Sequence, residues 1–259
     1  MKFSKWTGLG NDFIFPEPGE PVVISAVPRL CDRRFGIGGD GVVIIRPLGG
    51  TDFEMRIYNS DGSEAAMCGN ATRCAAEFIV SRGLGQGPRF HLHTLSGIVS
   101  PEILPDGRVR VDMGRPREFL CEQTLTADTR TFAATTVSMG NPHAVIFTED
   151  VAAVPLADWG PQLEHAAVFP DRCNIEFAQI LAPDRIRMRV WERGCGITSA
   201  CGTGSCATLV AAQKRGLCGE AADLVLDGGI LHIAHSPGGS VFMTGPAVEL
   251  FTGETHHEF

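Results

Sequence analysis

The chain has 259 residues, 44% of them hydrophobic, which is enough for one large domain or two modest ones with a real core. Its 22 basic and 30 acidic residues leave a net charge of −8 with no basic run, and that argues against nucleic acid and anionic membranes as partners, since both need clustered Lys and Arg. Nine cysteines without an apolar leader in MKFSKWTGLGNDF, and no apolar run near the roughly 18 residues of a membrane span, point to a cytoplasmic protein with reduced thiols rather than a disulfide framework.

From the start, Met1 to Gly10 reads as a strand that ends in the glycine loop GLGND, with Asn11 at its tip. A proline-rich connection from Pro16 to Pro21 leads to a predicted helix over 25–34, then to FGIGGDG and a strand over 42–46. GIGGDG lacks the order and placement of a dinucleotide fingerprint, so its glycines signal turns. A strand over 53–58 runs through NSDGSE to Cys68 and a helix that Gly83 to Pro88 breaks. Residues 89–114 alternate as strands around a Pro105–Gly107 turn. A threonine-rich segment from about Arg117, weakly strand-like, reaches MGNPH at 139–143, and an acidic stretch over 149–164 reads as loop plus helix. Strands over 174–180 and 185–191 deliver Glu192-Arg193-Gly194 to a second cysteine turn at Cys201. Residues 224–251 return to strand, and the tail THHEF carries two solvated histidines.

The two cysteine turns are copies. MCGNATRCAAEFIVSRGL at 67–84 lies 133 residues before ACGTGSCATLVAAQKRGL at 200–217, with Cys-Gly and Arg-Gly-Leu in register. FEMRIYN at 53–59 precedes IRMRVWE at 186–192 by the same offset, and Gly10-Asn11 precedes Gly140-Asn141 by 130. A period this long means two domains, not a solenoid. The expectation is a mixed α/β (α+β) protein of two pseudo-symmetric domains, each a mostly antiparallel sheet or barrel around a central helix, with the active site in the cleft between them. The expected bounds are 1–115 and 116–243, with 244–259 returning to the first domain.

A cysteine at a helix start faces unpaired N–H groups and the positive end of the dipole, so its thiol pKa is expected to fall below the usual ~8.5. The same N–H groups can hold a carboxylate. Two such turns supply two thiols to one bound carboxylate compound, and inverting a carbon takes two acid/base groups, one for each face. Lysine is confined to Lys2, Lys5 and Lys214, against nineteen arginines, which argues against a pyridoxal enzyme, and no cofactor or metal is expected. The spacing of Cys195, Cys201 and Cys206 does not match a zinc site.

GLGNDF, NSDGSE with MCGNATRC, MGNPH, and WERG with ACGTGSCAT together resemble the diaminopimelate epimerases, nearly end to end and in the right order. The resemblance implies a pyridoxal-independent enzyme of two mirrored α/β domains, often dimeric, in lysine and peptidoglycan precursor synthesis. It implies Cys68 and Cys201 as the proton-transferring thiols and His143 and Glu192 as the partners that set their protonation. It implies Asn11, Asn59, Asn141, Asn174 and Arg193 at the distal amino acid end of the substrate, with the backbone of Gly69-Asn70 and Gly202-Thr203 on the reacting carboxylate. The sequence departs from many relatives at Ala71, where Gly is common, at Ile197, where Glu is common, and at Gly41, where a longer side chain such as Gln is common. Position 41 is the difference expected to alter substrate fit; the other two read as packing variants.

Three other readings compete. A two-cysteine racemase of proline, hydroxyproline or histidine would not need Arg193 and the asparagines. A non-catalytic amino-acid-binding protein would need neither thiol. A thiol–disulfide oxidoreductase would normally show C-x-x-C, which is absent from the sequence.

Overall fold

The computed structural model describes residues 1–117 and 119–256, without the side chains of 119–122. Cys121 and the second tail histidine, His257, lie outside that description. The chain divides into two compact units, Met1–Asp112 with Thr244–Phe259, and Met113–Met243. Both are mixed α+β, as the alternating strands and two long helices predict. Among the described residues, no helix is long and apolar enough to cross a membrane.

In the first unit, strands β1 (Lys2–Gly8), β2 (Asn11–Pro16), β3 (Gly41–Gly49), β4 (Asp52–Asn59), β5 (Glu64–Ala65), β6 (His91–Thr94) and β7 (Gly97–Val99) join the last strand of the chain, Val248–Glu254, in a sheet. That last strand pairs antiparallel with β1, Lys2 opposite Glu254. Strands β8 (Glu102–Ile103) and β9 (Val109–Asp112) form a hairpin. Period-two alternation along β2 and β3 splits the side chains between two faces. Ile14, Val42 and Ile44 pack with Val27, Leu30 and Cys31 of the short helix α1 (Val27–Cys31). On the opposite face, Phe15 meets Phe78 of helix α2 (Gly69–Ser81) with ring centroids 5.1 Å apart. α1 is shorter than the predicted 25–34 helix because the Asp32 side chain accepts from the N–H groups of Arg34 and Phe35 at 2.7 and 2.8 Å, turning the chain out of the helix.

Lys5 is almost fully buried, at 4% exposure, and its amine lies 2.7 Å from Asp12. Arg33 adds a two-pronged contact to the same carboxylate. Burial pushes the Asp12 carboxyl up, but Arg33 and Lys5 outweigh it and hold the group at about 2. A depressed carboxyl stabilises the fold above its unfolded value of 3.8 and loses that contribution as pH falls toward 2. Asp12→Asn, which leaves the Lys5 charge without its carboxylate, should therefore lower stability by about 2–3 kcal/mol at neutral pH. Urea unfolding at neutral pH and near pH 2 should show that gap closing in acid.

The second unit repeats the plan. Its sheet runs through β10 (Phe119–Ala127), β11 (Arg130–Ser138), β12 (Pro142–Phe147), β13 (Asn174–Ala182), β14 (Arg185–Glu192), β16 (Ala221–Leu226), β17 (Gly229–His235) and β18 (Val241–Gly245), with β15 (Gly196–Thr198) on β14. The weakly strand-like threonine segment is a long antiparallel hairpin, β10 with β11. Helix α3 (Leu156–Glu164) covers one face, where Leu156, Trp159 and Leu163 join Ala144, Ile146, Ile175 and Phe177. Helix α4 (Gly202–Lys214) lies on the other and is buried over most of its length.

The duplication is visible bond by bond. β2 pairs parallel with β3 as β12 does with β13, and β4 pairs parallel with β6 as β14 does with β16. Phe13 lies opposite Gly41 where His143 lies opposite Asn174. Thr72 Oγ1 donates to the Cys68 carbonyl at 2.9 Å, and Ser205 Oγ to the Cys201 carbonyl at 2.8 Å. Both long helices end on a glycine with positive φ, Gly83 at 63° and Gly216 at 68°, which lets the next N–H, of Leu84 or Leu217, reach back to Ile79 or Ala212.

Candidate active site

In the first unit, the β1–β2 turn takes Leu9 and Gly10 through positive φ and puts Asn11 at the start of β2. Asn11 Nδ2 donates to Asp40 Oδ2 at 2.7 Å, which leaves Asn11 Oδ1 to accept from Asn70 Nδ2 at 3.2 Å and from the Cys68 thiol at 3.7 Å. Cys68 is the half-buried N-cap of α2, and Gly69 and Asn70 are buried in its first turn. Asn11, Asn70 and Cys68 thus come together on the strand–helix junction. Asn59 is exposed at the end of β4, and its amide donates to Ser63 Oγ at 3.0 Å within the NSDGSE turn.

A Cβ at position 41 would lie 2.5 Å from the Tyr58 carbonyl oxygen of the paired strand, so a longer side chain there requires the strands to shift. Ile197 is exposed.

The second unit holds a denser group. Cys201, 4% exposed, caps α4, and its sulfur accepts from the Gly204 N–H at 3.3 Å. Thr203 Oγ1 lies 3.5 Å from that sulfur and accepts from Asn141 Nδ2 at 3.3 Å. Asn141 Oδ1 is 3.1 Å from Nε2 of His143, whose Nδ1 is 2.6 Å from Oε1 of Glu176. Glu192, at the end of β14, accepts from the Thr198 hydroxyl and bonds the Cys201 thiol. Burial raises its carboxyl above the ordinary range, against the lowering effect of Thr198, Cys201 and His143.

Here the physics overturns one expectation. Burial pushes the Cys201 thiol well above its ordinary value, and the Glu192 and Glu176 carboxylates push the same way. The contacts from Thr203 and from the Gly204 N–H oppose this and lose. A helix start lowers a thiol's pKa, but burial and neighbouring carboxylates raise it, and here they prevail. Burial and the two carboxylates therefore favour the protonated thiol at Cys201.

Asn174 is buried and both ends of its amide are taken: Nδ2 donates to the Pro142 carbonyl at 2.8 Å and Oδ1 accepts from the Arg193 N–H at 2.9 Å. It fixes the loop that carries Arg193. The half-buried Arg193 side chain reaches the Asp171 carbonyl at 3.1 Å. Glu176 and Gly204 went unread in the sequence; both touch the group, and a Cβ on Gly204 would lie 2.6 Å from Glu176 Oε1. Among the described residues, no cluster of His, Cys, Asp and Glu has the arrangement to hold a metal ion.

The fold is shared with structures of distant sequence. A hydroxyproline epimerase from Agrobacterium vitis, with bound trans-4-hydroxy-L-proline, superposes with a TM-score of 0.73 at 16% identity, covering 98% of this chain and 91% of that one. A PhzF-family phenazine biosynthesis protein from Bacillus anthracis gives 0.73 at 13% identity, covering 98% of each. A duplicated α+β chain with a cysteine at each central helix start thus shares its fold with both structures. The sequence narrows this. The family model described as diaminopimelate epimerase matches residues 3–119 and 135–250. A diaminopimelate epimerase of Cyanothece sp. is 46% identical over 98% of this chain and 99% of its own length, and one of Synechococcus elongatus is 47% identical over 98% and 97%. The chain belongs to the diaminopimelate epimerase family and is an isomerase.

Proposed function

We propose that this chain interconverts LL- and meso-2,6-diaminopimelate without a cofactor, with Cys68 and Cys201 as the two proton-transferring groups. One observation carries the reading: in a chain of this family, both copies of the duplication keep a cysteine as N-cap of a buried helix, each beside a loop asparagine that bonds the residue two places after it. Inversion needs one group to take the α-proton and another to return one on the opposite face, and each unit supplies one thiol. The N–H groups of Gly69-Asn70 and Gly202-Thr203 open their helices and suit the carboxylate whose charge grows as the α-proton leaves. His143 and Glu192 set the protonation of Cys201 from within the second unit. Asn11, Asn59, Asn141 and Arg193 take the distal amino acid end, Asn174 serving by holding Arg193. The enzyme works in the cytoplasm as a homodimer, the state the family resemblance implies, and its product enters lysine and peptidoglycan precursor synthesis.

The test is proton NMR of the reduced, pyridoxal-free protein in D₂O with LL-diaminopimelate, beside proline, histidine and glutamate. Loss of one α-proton signal with growth of the meso isomer is expected. Exchange on proline alone would move the chain to the proline-type racemases, and silence on all four substrates would leave a binding protein. Arg193→Ala should raise KM for diaminopimelate about tenfold or more, the effect of a lost charge-assisted contact. If any residual turnover of a mono-amino acid falls equally, Arg193 does not read the distal end.

A further inference from the structure

Glu176 is fully buried in the middle of β13, and one of its carboxylate oxygens, Oε2, has no hydrogen-bond partner. A buried carboxylate so placed is a liability to stability unless it serves something, because its desolvation is only partly repaid. The duplication provides an internal comparison. The positions equivalent to His143 and Glu176 in the first unit are Phe13 and Val43, both buried, on the same face of the sheet as Phe15. This fold therefore packs the site with two apolar side chains in one copy and with a histidine–carboxylate pair in the other. The pair stands only where the hydrogen bonds lead on, from His143 through Asn141 and Thr203, to the Cys201 sulfur.

We propose that Glu176 is a positioning residue for Cys201: its carboxylate keeps the proton on Nδ1 of His143 and so commits Nε2 to the chain His143–Asn141–Thr203 that ends on the sulfur. The carboxylate Oε1, 2.6 Å from Nδ1, accepts that proton's hydrogen bond whichever way the Asn141 amide is turned. Nε2 is then the atom that faces Asn141, and the ring relays a defined donor or acceptor toward Thr203 as Cys201 gains or loses its proton. The other titratable groups around the ring are Glu192 from β14 and Cys201 from α4. Cys173, also buried, sits on the alternate face of β13 with the α3 core. The inference rests on the proposed role of Cys201.

The experiment compares the wild-type chain with Glu176→Leu. Leucine keeps most of the bulk but removes the acceptor at Nδ1, so the ring proton should move to Nε2, which lies beside Asn141 Oδ1. Nitrogen-15 NMR of the His143 imidazole, without substrate, should show Nδ1 protonated in the wild type and unprotonated in the variant. The variant's kcat should fall about tenfold to a hundredfold, as for lost outer partners of a functional histidine, with KM changed less than about threefold. Glu176→Asp, which restores the acceptor, should recover part of the loss. A second variant guards against simple unfolding: His143→Phe with Glu176→Val installs the pair the first unit uses, and should give a folded but inactive chain. An unmoved Nδ1 proton in Glu176→Leu, or a double variant that keeps wild-type kcat, would overturn the assignment. A wild-type chain that inverts no diaminopimelate would overturn the functional reading instead, and the imidazole spectrum would still judge Glu176 alone.

Discussion

Cys68→Ala and Cys201→Ala should each lower the rate of diaminopimelate inversion by about 10³-fold or more in kcat with no loss of fold. Positioned proton transfer contributes about 10²–10⁴-fold, and an inversion with one acid/base group missing has no group to finish the reaction on the opposite face. The truncation is small. Cys68 is half-buried and Cys201 loses one sulfur against α4, so melting temperatures should stay within a few degrees of wild type. The two variants should also differ from a dead protein in one respect. Each keeps one thiol, which can remove a proton from one stereoisomer and return deuterium on the same face, so each should exchange the α-proton of one isomer without inverting it. Opposite stereoisomer preferences in the two variants would assign each thiol its face. Full inversion by either variant would end the two-thiol mechanism. In Cys68→Ala, alkylation of Cys201 should be slow at neutral pH and rise about tenfold per pH unit, because only the thiolate reacts and burial with two carboxylates keeps the thiol protonated.

The sequence makes the duplication legible because an offset of 133 residues survives with its turn chemistry: Cys-Gly at two helix starts and Arg-Gly-Leu at two helix ends. The positive φ at Gly83 and Gly216 is the physical reason for that second match. Asn11, Asn70, Asn141, Thr203 and His143 could be picked out because they stand in turns or beside the cysteines, where few structural demands explain them. Glu176 was hidden for the opposite reason. In NIEFAQI it reads as the polar member of an ordinary alternation, pointing to solvent, and only the helix on each face of the sheet puts it indoors. The signal that finds it is the comparison of the copies, since Val43 stands in its place. The sequence shows the helix dipole at Cys201 but not the burial and the two carboxylates, Glu192 and Glu176, that the fold brings beside it. Nothing local to Gly41 reveals the Tyr58 carbonyl across the strand.

Gly204→Ala sets two effects of known sign against each other. The residue lies in the first turn of α4 with ordinary helical φ, so alanine alone would favour the helix by about 1 kcal/mol. The added Cβ, however, would fall 2.6 Å from Glu176 Oε1 and 3.2 Å from the Cys201 sulfur. Neither neighbour can retreat, because Glu176 is fully buried and held by His143, and Cys201 caps the helix. Relief must come from moving the carboxylate, the thiol or both, and a displacement near 1 Å in a proton-transferring group costs on the order of 10²-fold in rate. We therefore expect kcat to fall by about that factor while the melting temperature drops by several degrees. The duplicated copy supplies the control. The equivalent position in α2 is Ala71, fully buried and without strain on a carboxylate, since Val43 stands where Glu176 does. Ala71→Gly should therefore lower stability by about 1 kcal/mol through helix propensity alone and leave kcat within about twofold. Equal activity losses from the two substitutions would mean that the Gly204 effect is a general disturbance of a helix start. A loss confined to Gly204→Ala would tie catalysis to the space that Glu176 and Cys201 share.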